Sequence, residues 1–413
     1  MCSLVTKLHT QSNIRRMSSE QPVPTHEPPA IPFWRDERVL RWAAQIISGV
    51  IIIGILVWVA VNFIQGANQR GMSLNFRFLG DPAEFPISDP LLPYDPSRSF
   101  GYAFAVGLVK TLLVAVLGIF ISTILGIIIG VARLSSNWLI SRIALVYIEF
   151  HRNIPLLVLL FIWYFPIFNS LPPVAESIVL WGPIYFNSRG IYLTWPRLTA
   201  VGFIWLAAIF LSVVLAALAY IQLQKRELET GKSTHYGLIS LAILLIGPTL
   251  GWLLLGRSPL ELDVPVLDGY NFIGGLRLTP EFAALLIGLS MYTAAFIAEV
   301  VRAGVQSVNI GQLEAAKAVG LNHFQTLRLI IFPQALRVII PPLISQYLNL
   351  TKNSSLAFFI GYQEVFSVGK IAINQAGRAI PVFAMVMAVY LALSLFTSTI
   401  LNIYNRRIQF VER

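Results

Sequence analysis

The stretch Glu314-Ala315-Ala316-Lys317-Ala318-Val319-Gly320, followed by Ile330-Ile331-Phe332-Pro333, has the residue types and spacing best suited to a specific task. That task is contact rather than bond-making. Three alanines let a second backbone approach closely, and alanine is the strongest helix former. Glu314 offers a carboxylate to a basic residue or a helix N-terminus on a partner. Gly320 suits the left-handed position that stops a helix. Pro333 and the pair Pro341-Pro342 then set the angle of the apolar run that follows. Taken alone, the Glu-Ala-Ala triplet also fits an ordinary interfacial helix.

The remaining polar groups worth weighing sit in or beside apolar runs. Glu299 and Arg302 are three apart and share a helix face. They read as a structural ion pair or as a substrate contact, because charge within a bilayer is costly and usually functional. Glu149, His151, Arg152 and Asn153 form a polar quartet in which Arg152 would meet a substrate carboxylate. Helix–helix hydrogen bonding is the alternative. Lys352, Asn353, Ser354 and Ser355 end another apolar run, where a zwitterion arriving from outside would be met; a solvated connection fits equally. Gly231-Lys232-Ser233-Thr234 looks like the tail of a phosphate loop, but position 226 is arginine where that loop needs glycine. No His/Glu spacing suits a metal. The single cysteine, Cys2, rules out an internal disulfide.

These residues must be positioned by a membrane protein. Of 413 residues, 56% are hydrophobic and only 12% charged, with mean hydropathy +0.70. Globular domains carry about a quarter charged residues. Uncharged runs reach the ~20 residues a bilayer core requires, and their unbroken apolarity excludes a transmembrane β-barrel. The formal net charge of +10 is read as cytoplasmic-loop Lys and Arg rather than as a nucleic-acid surface. No cleavable signal peptide is expected ahead of the first span.

Apolar runs predict about eight spans, near 43–63, 111–131, 141–168, 198–220, 238–255, 282–301, 338–350 and 380–404. The third is interrupted by Pro155 and Pro166, and the short seventh starts near two prolines. Gly118, Gly126 and Gly130 mark close packing in the second. Residues 1–38 read as a flexible cytoplasmic tail, 43–63 as an extra N-terminal helix and 64–100 as an external loop. Arg35, Arg38, Arg41, the Gln224-Lys225-Arg226-Glu227 loop, the Glu314 interval and Arg406-Arg407 all fall on one side. This places both termini in the cytoplasm.

Glu-Ala-Ala, three residues, Gly320, nine residues, Ile330, one residue, then Phe332-Pro333 resembles the signature of inner-membrane permease subunits of ATP-binding-cassette importers. Phe332 stands where that family usually has leucine. Tyr292–Gly304, Phe332–Arg337, the Leu350–Leu356 run and Arg152-Asn153-Ile154-Pro155-Leu156-Leu157 are similar to its polar-amino-acid branch. The resemblance covers 101–405, interrupted by an inserted segment, 169–280, with two additional spans. This longer layout is similar to that of the larger permeases of general L-amino-acid importers. It implies an all-α, polytopic transmembrane bundle of type I importer architecture in a bacterial inner membrane. The implied docking surface for the ATPase subunit is Glu314, Ala315, Ala316, Gly320 and Pro333. No cofactor is implied on this chain, with ATP-Mg on the partner ATPase. The other implied partners are a second, related permease subunit, a periplasmic amino-acid-binding protein and membrane lipid, with no nucleic acid. A self-sufficient secondary transporter would instead need inverted repeats and mid-span acids, and neither stands out.

Overall fold

In a computed structural model, residues 37–69, 75–180 and 182–408 are described. The expected tail at 1–38 lies outside them except for its last two positions. The chain forms two compact units, Met1–Met72 and Ser73–Arg413. Among the described residues the first holds α1 (Glu37–Gln69), whose stretch Leu40–Gly66 is long and apolar enough to cross a membrane.

The second unit is built around α2 (Phe100–Arg133) and α7 (Pro280–Gln306). Ser99 caps α2 and Thr279 caps α7, each side chain accepting a backbone N–H of the first turn. Gly126 and Gly130 of α2 lie one turn apart on the face that meets α7. A Cβ on Gly130 would come 2.7 Å from the Ala298 carbonyl oxygen, so the approach depends on the absence of side chains. Helix α2 begins well before the expected 111 and draws Lys110 into its buried face.

The expected third span is a bent pair. Helix α3 (Trp138–Asn153) and the arm containing α4 (Leu156–Ile162) and a π turn over Trp163–Phe168 meet at 107°. Pro155 forces the break by pushing Ile154 to an extended conformation, φ −99° and ψ 132°. Counted with this pair, the described residues give up to eight crossings, and without it seven.

The inserted segment carries the α5 (Gly202–Thr230) and α6 (Tyr236–Leu255) hairpin. The parts flanking the hairpin, expected from sequence to be external loop, form short strands. These are β1 (Ile178–Leu180), β2 (Ile184–Asn187), β3 (Gly190–Leu193) and β4 (Trp195–Leu198) before the hairpin, and β5 (Leu260–Asp263), β6 (Val266–Asp268), β7 (Asn271–Ile273) and β8 (Leu276–Leu278) after it. They pair antiparallel as β1-β2-β3-β8, β4-β5 and β6-β7. Ile191 faces Leu278 and Leu193 faces Leu276 across β3 and β8.

After α7 come α8 (Ile310–Ala318), α9 (His323–Thr326) and a π turn over Leu327–Ile331. The chain continues through α10 (Phe332–Asn353), a 3-10 turn over Ser354–Ile360, α11 (Val365–Ala376) and α12 (Ala379–Ile408). The seventh span is therefore longer than the expected 338–350, because Pro341 and Pro342 are carried inside α10 rather than starting it. Two buried clusters hold this unit together. Leu160, Leu285, Leu289 and Leu350 centre one, and Phe85, Phe104, Val365 and Val382 the other.

Candidate functional site

Helix α8 is fixed at both ends by its own sequence. The Asn309 side-chain oxygen accepts the Gly311 N–H at 2.8 Å. At the other end Gly320 takes φ +82°. Its N–H donates to the Lys317 carbonyl and the Leu321 N–H to the Ala316 carbonyl, both at 3.0 Å, which is a Schellman closure. Asn322 and Gln325 then form a reciprocal capping box that starts α9. This double turn presents Ile310, Val319 and Phe324 to the exterior, at 72%, 80% and 67% exposure. Glu314, Ala315 and Pro333 are exposed beside them, whereas Ala316 is buried against its own chain.

A largely apolar cavity of about 230 Å³ lies between α3, α7 and α10, with Arg152, Glu299 and Gln346 as the polar groups among Phe296, Val300, Val338 and Pro342. The Arg152 guanidinium sits 5.5 Å over the Phe296 ring. Arg302 grips Glu299 through Nε, at 2.9 Å, and Nη2, and its Nη1 also reaches Gln306. The structure therefore brings Arg152, Glu299 and Arg302 together. It separates them from the other polar candidates. Asn153 donates to the Glu149 carboxylate at 3.0 Å on an exposed face. His151 is buried against the Tyr147 ring, with centroids 4.2 Å apart. Ser354 and Ser355 return their hydroxyls to the Thr351 and Lys352 carbonyls, and Lys352 is exposed. Gly231 closes α5 at φ +67°, with no strand before it, unlike a phosphate loop.

Three polar side chains escaped sequence reading. Lys110 is 3% exposed and donates to the Ser88 carbonyl at 2.6 Å. The signal available was a lone cation ten residues inside an apolar helix. Tyr362 stacks under that ammonium at 4.6 Å; burial, with the Glu364 and Asp89 charges, pushes its phenol above the ordinary range. Glu364 is fully buried and accepts from Phe366 N–H, Ser367 N–H, Tyr390 and Thr111. Nothing local in the sequence points to it.

Comparison with known proteins bears on this arrangement. Residues 234–410 match the family described as binding-protein-dependent transport system inner membrane component. A putative amino-acid ABC transporter permease protein of Escherichia coli, YhdX, is 45% identical over 378 residues, covering 91% of this chain and 95% of that one. The general L-amino acid transport system permease protein AapQ of Rhizobium johnstonii is 42% identical over 89% of this chain and 92% of its own length. The glutamate/glutamine/aspartate/asparagine permease BztB of Rhodobacter capsulatus is 36% identical over 92% and 96%. A solved amino acid ABC transporter, crystallised with histidines, aligns with TM-score 0.45 at 21% identity, over 75% of this chain and 95% of that one.

Proposed function

Because the chain belongs to the binding-protein-dependent transport system inner-membrane component family, we propose that it moves L-amino acids inward, powered by an ATPase subunit that docks on the α8–α9 turn. The observation carrying this reading is the connectivity around that turn. Three residues join α7 to α8, and one π turn joins α9 to α10. Helices α7 and α10 are also walls of the cavity that holds Arg152 and Glu299. A partner that moves α8 thus acts directly on two of the helices enclosing a charged cavity.

In this reading Glu314, Ala315, Gly320 and Pro333 meet the ATPase, and Ala316 anchors the turn from inside. ATP-Mg is bound and hydrolysed by that partner. The docking turn and the Gln224–Glu227 end of α5, read from sequence as a loop but helical in the structure, face the cytoplasm, as do both termini. An external binding protein delivers the amino acid, and a second, related permease subunit completes the pathway. Arg152 meets the cargo carboxylate, while Glu299, held by Arg302, offers the opposite charge.

The test is co-purification. Glu314→Lys should abolish recovery of the ATPase subunit and its membrane-bound ATPase activity, while the chain still migrates as a folded monodisperse species. Undiminished recovery would sink the docking role.

A further inference from the structure

At the other end of α7 the same unit holds another cavity, a polar one of about 470 Å³. That lies within the roughly 300–1,000 Å³ of small-molecule sites. Its charges come from five separate places. Asp89 belongs to the external loop, Lys110 to α2 and Glu281 to the first turn of α7, while Arg189 turns between β2 and β3 and Arg277 lies on β8. The insertion therefore supplies two of the three cations.

The lining is poorly self-compensated. Arg277 reaches Asp89 through a single contact of 3.4 Å. Among the described residues, Lys110, Arg189 and Glu281 have no oppositely charged side chain within ion-pair distance. Each is instead held in place by neutral groups. Lys110 bonds the Ser88 carbonyl, Arg189 the Asn271 side chain, and Tyr164 donates to Glu281 at 3.3 Å. The Arg277 Nε donates to the Arg189 carbonyl at 3.1 Å, which keeps the two guanidinium groups on one wall. Asp89 is held at φ +44°, a conformation costly for a non-glycine residue and often found at binding sites. A smaller recess of about 90 Å³ shares Asp89, Lys110, Arg277 and Tyr362 and is lined by Leu113, Leu276 and Phe282.

We infer that this external cavity is a receiving site for a zwitterionic α-amino acid, distinct from the Arg152–Glu299 cavity at the far end of α7. The α-carboxylate meets Arg189 and Arg277, and the α-ammonium meets Glu281. The side chain enters the apolar recess beside Tyr362. Three cations against two anions leave one positive charge in excess, so neutral and acidic side chains are taken over basic ones. The inference rests on the amino-acid cargo proposed above and adds a place where that cargo waits.

The experiment is equilibrium binding to the full-length chain, purified with whatever subunits accompany it and without external binding protein. The probes are L-glutamine, N-acetyl-L-glutamine, L-glutamine α-amide and L-lysine. L-glutamine should bind saturably, and each of the other three at least about tenfold more weakly, since each loses or opposes a charge-assisted contact. Glu281→Gln keeps a partner for Tyr164 and should weaken L-glutamine binding at least about tenfold, with the melting temperature unchanged. Arg189→Gln should do the same. Absence of binding to the unaltered chain overturns the site, as does binding indifferent to both substitutions. ATP-driven amino-acid uptake in reconstituted liposomes separates this from the broader reading. Uptake with variant-insensitive binding discards the external site alone. Variant-sensitive binding with no uptake of any amino acid discards the cargo assignment alone.

Discussion

Glu364 shows how a single buried carboxylate can hold three elements together. Its Oε1 caps α11 by accepting the Phe366 and Ser367 N–H groups, while its Oε2 accepts from Thr111 on α2 and Tyr390 on α12. Removing it loses a cap, worth about 1 kcal/mol, and strands buried donors at roughly 1–3 kcal/mol each. Glu364→Ala should therefore lower the melting temperature of the purified chain sharply, by far more than Glu364→Gln. Burial outweighs these donors and leaves its pKa above the ordinary 4.5. A carboxyl raised on folding stabilises most below its unfolded value, and that contribution fades as pH rises through the folded one. The melting temperature should accordingly fall as pH climbs from 4.5, and Glu364→Gln should flatten that slope. Such residues were invisible in the sequence because their partners are remote: Thr111 is 253 positions away. Glu314 and Gly320 were legible because every group that shapes their turn lies within about a dozen residues.

At the scale of elements, helices announced themselves and strands did not. A run such as that of α2 has only one structural reading at its length and apolarity. The strands are three or four residues long, and β3 pairs with β8 across the whole α5–α6 hairpin. No local alternation at that length distinguishes a strand from loop. Pro155 and Pro166 were visible as interruptions, yet only the structure gives the 107° turn between the two arms. The α2–α7 seam is the element on which substitution should tell most clearly. Gly130→Leu drives a side chain into the Ala298 carbonyl, which cannot retreat without moving α7. Overpacking of this kind costs roughly 1–3 kcal/mol, to be read as a lowered thermal midpoint in detergent.

For the whole molecule, the cytoplasmic placement of α8 is the prediction with the widest reach. With Cys2 replaced by serine the chain is cysteine-free, so single reporters can map both faces. In intact cells a membrane-impermeant thiol reagent should label Tyr270→Cys, whose site is 89% exposed, and should reach Lys232→Cys only after lysis. The opposite pattern would invert the topology and remove α8 from any ATPase. The pairing of β3 with β8 has a consequence for how such a chain can be lengthened. Its register brings Leu193 beside Leu276, at the roughly 5 Å spacing of neighbouring strands. Everything from 194 to 275 thus leaves and rejoins through one narrow doorway, as a graft does on a stem. A gene could gain or shed that length in a single event without rerouting the stock. Joining 193 to 276 through an Asn-Gly turn, which suits a two-residue hairpin, should yield a shorter permease that still reaches the membrane folded.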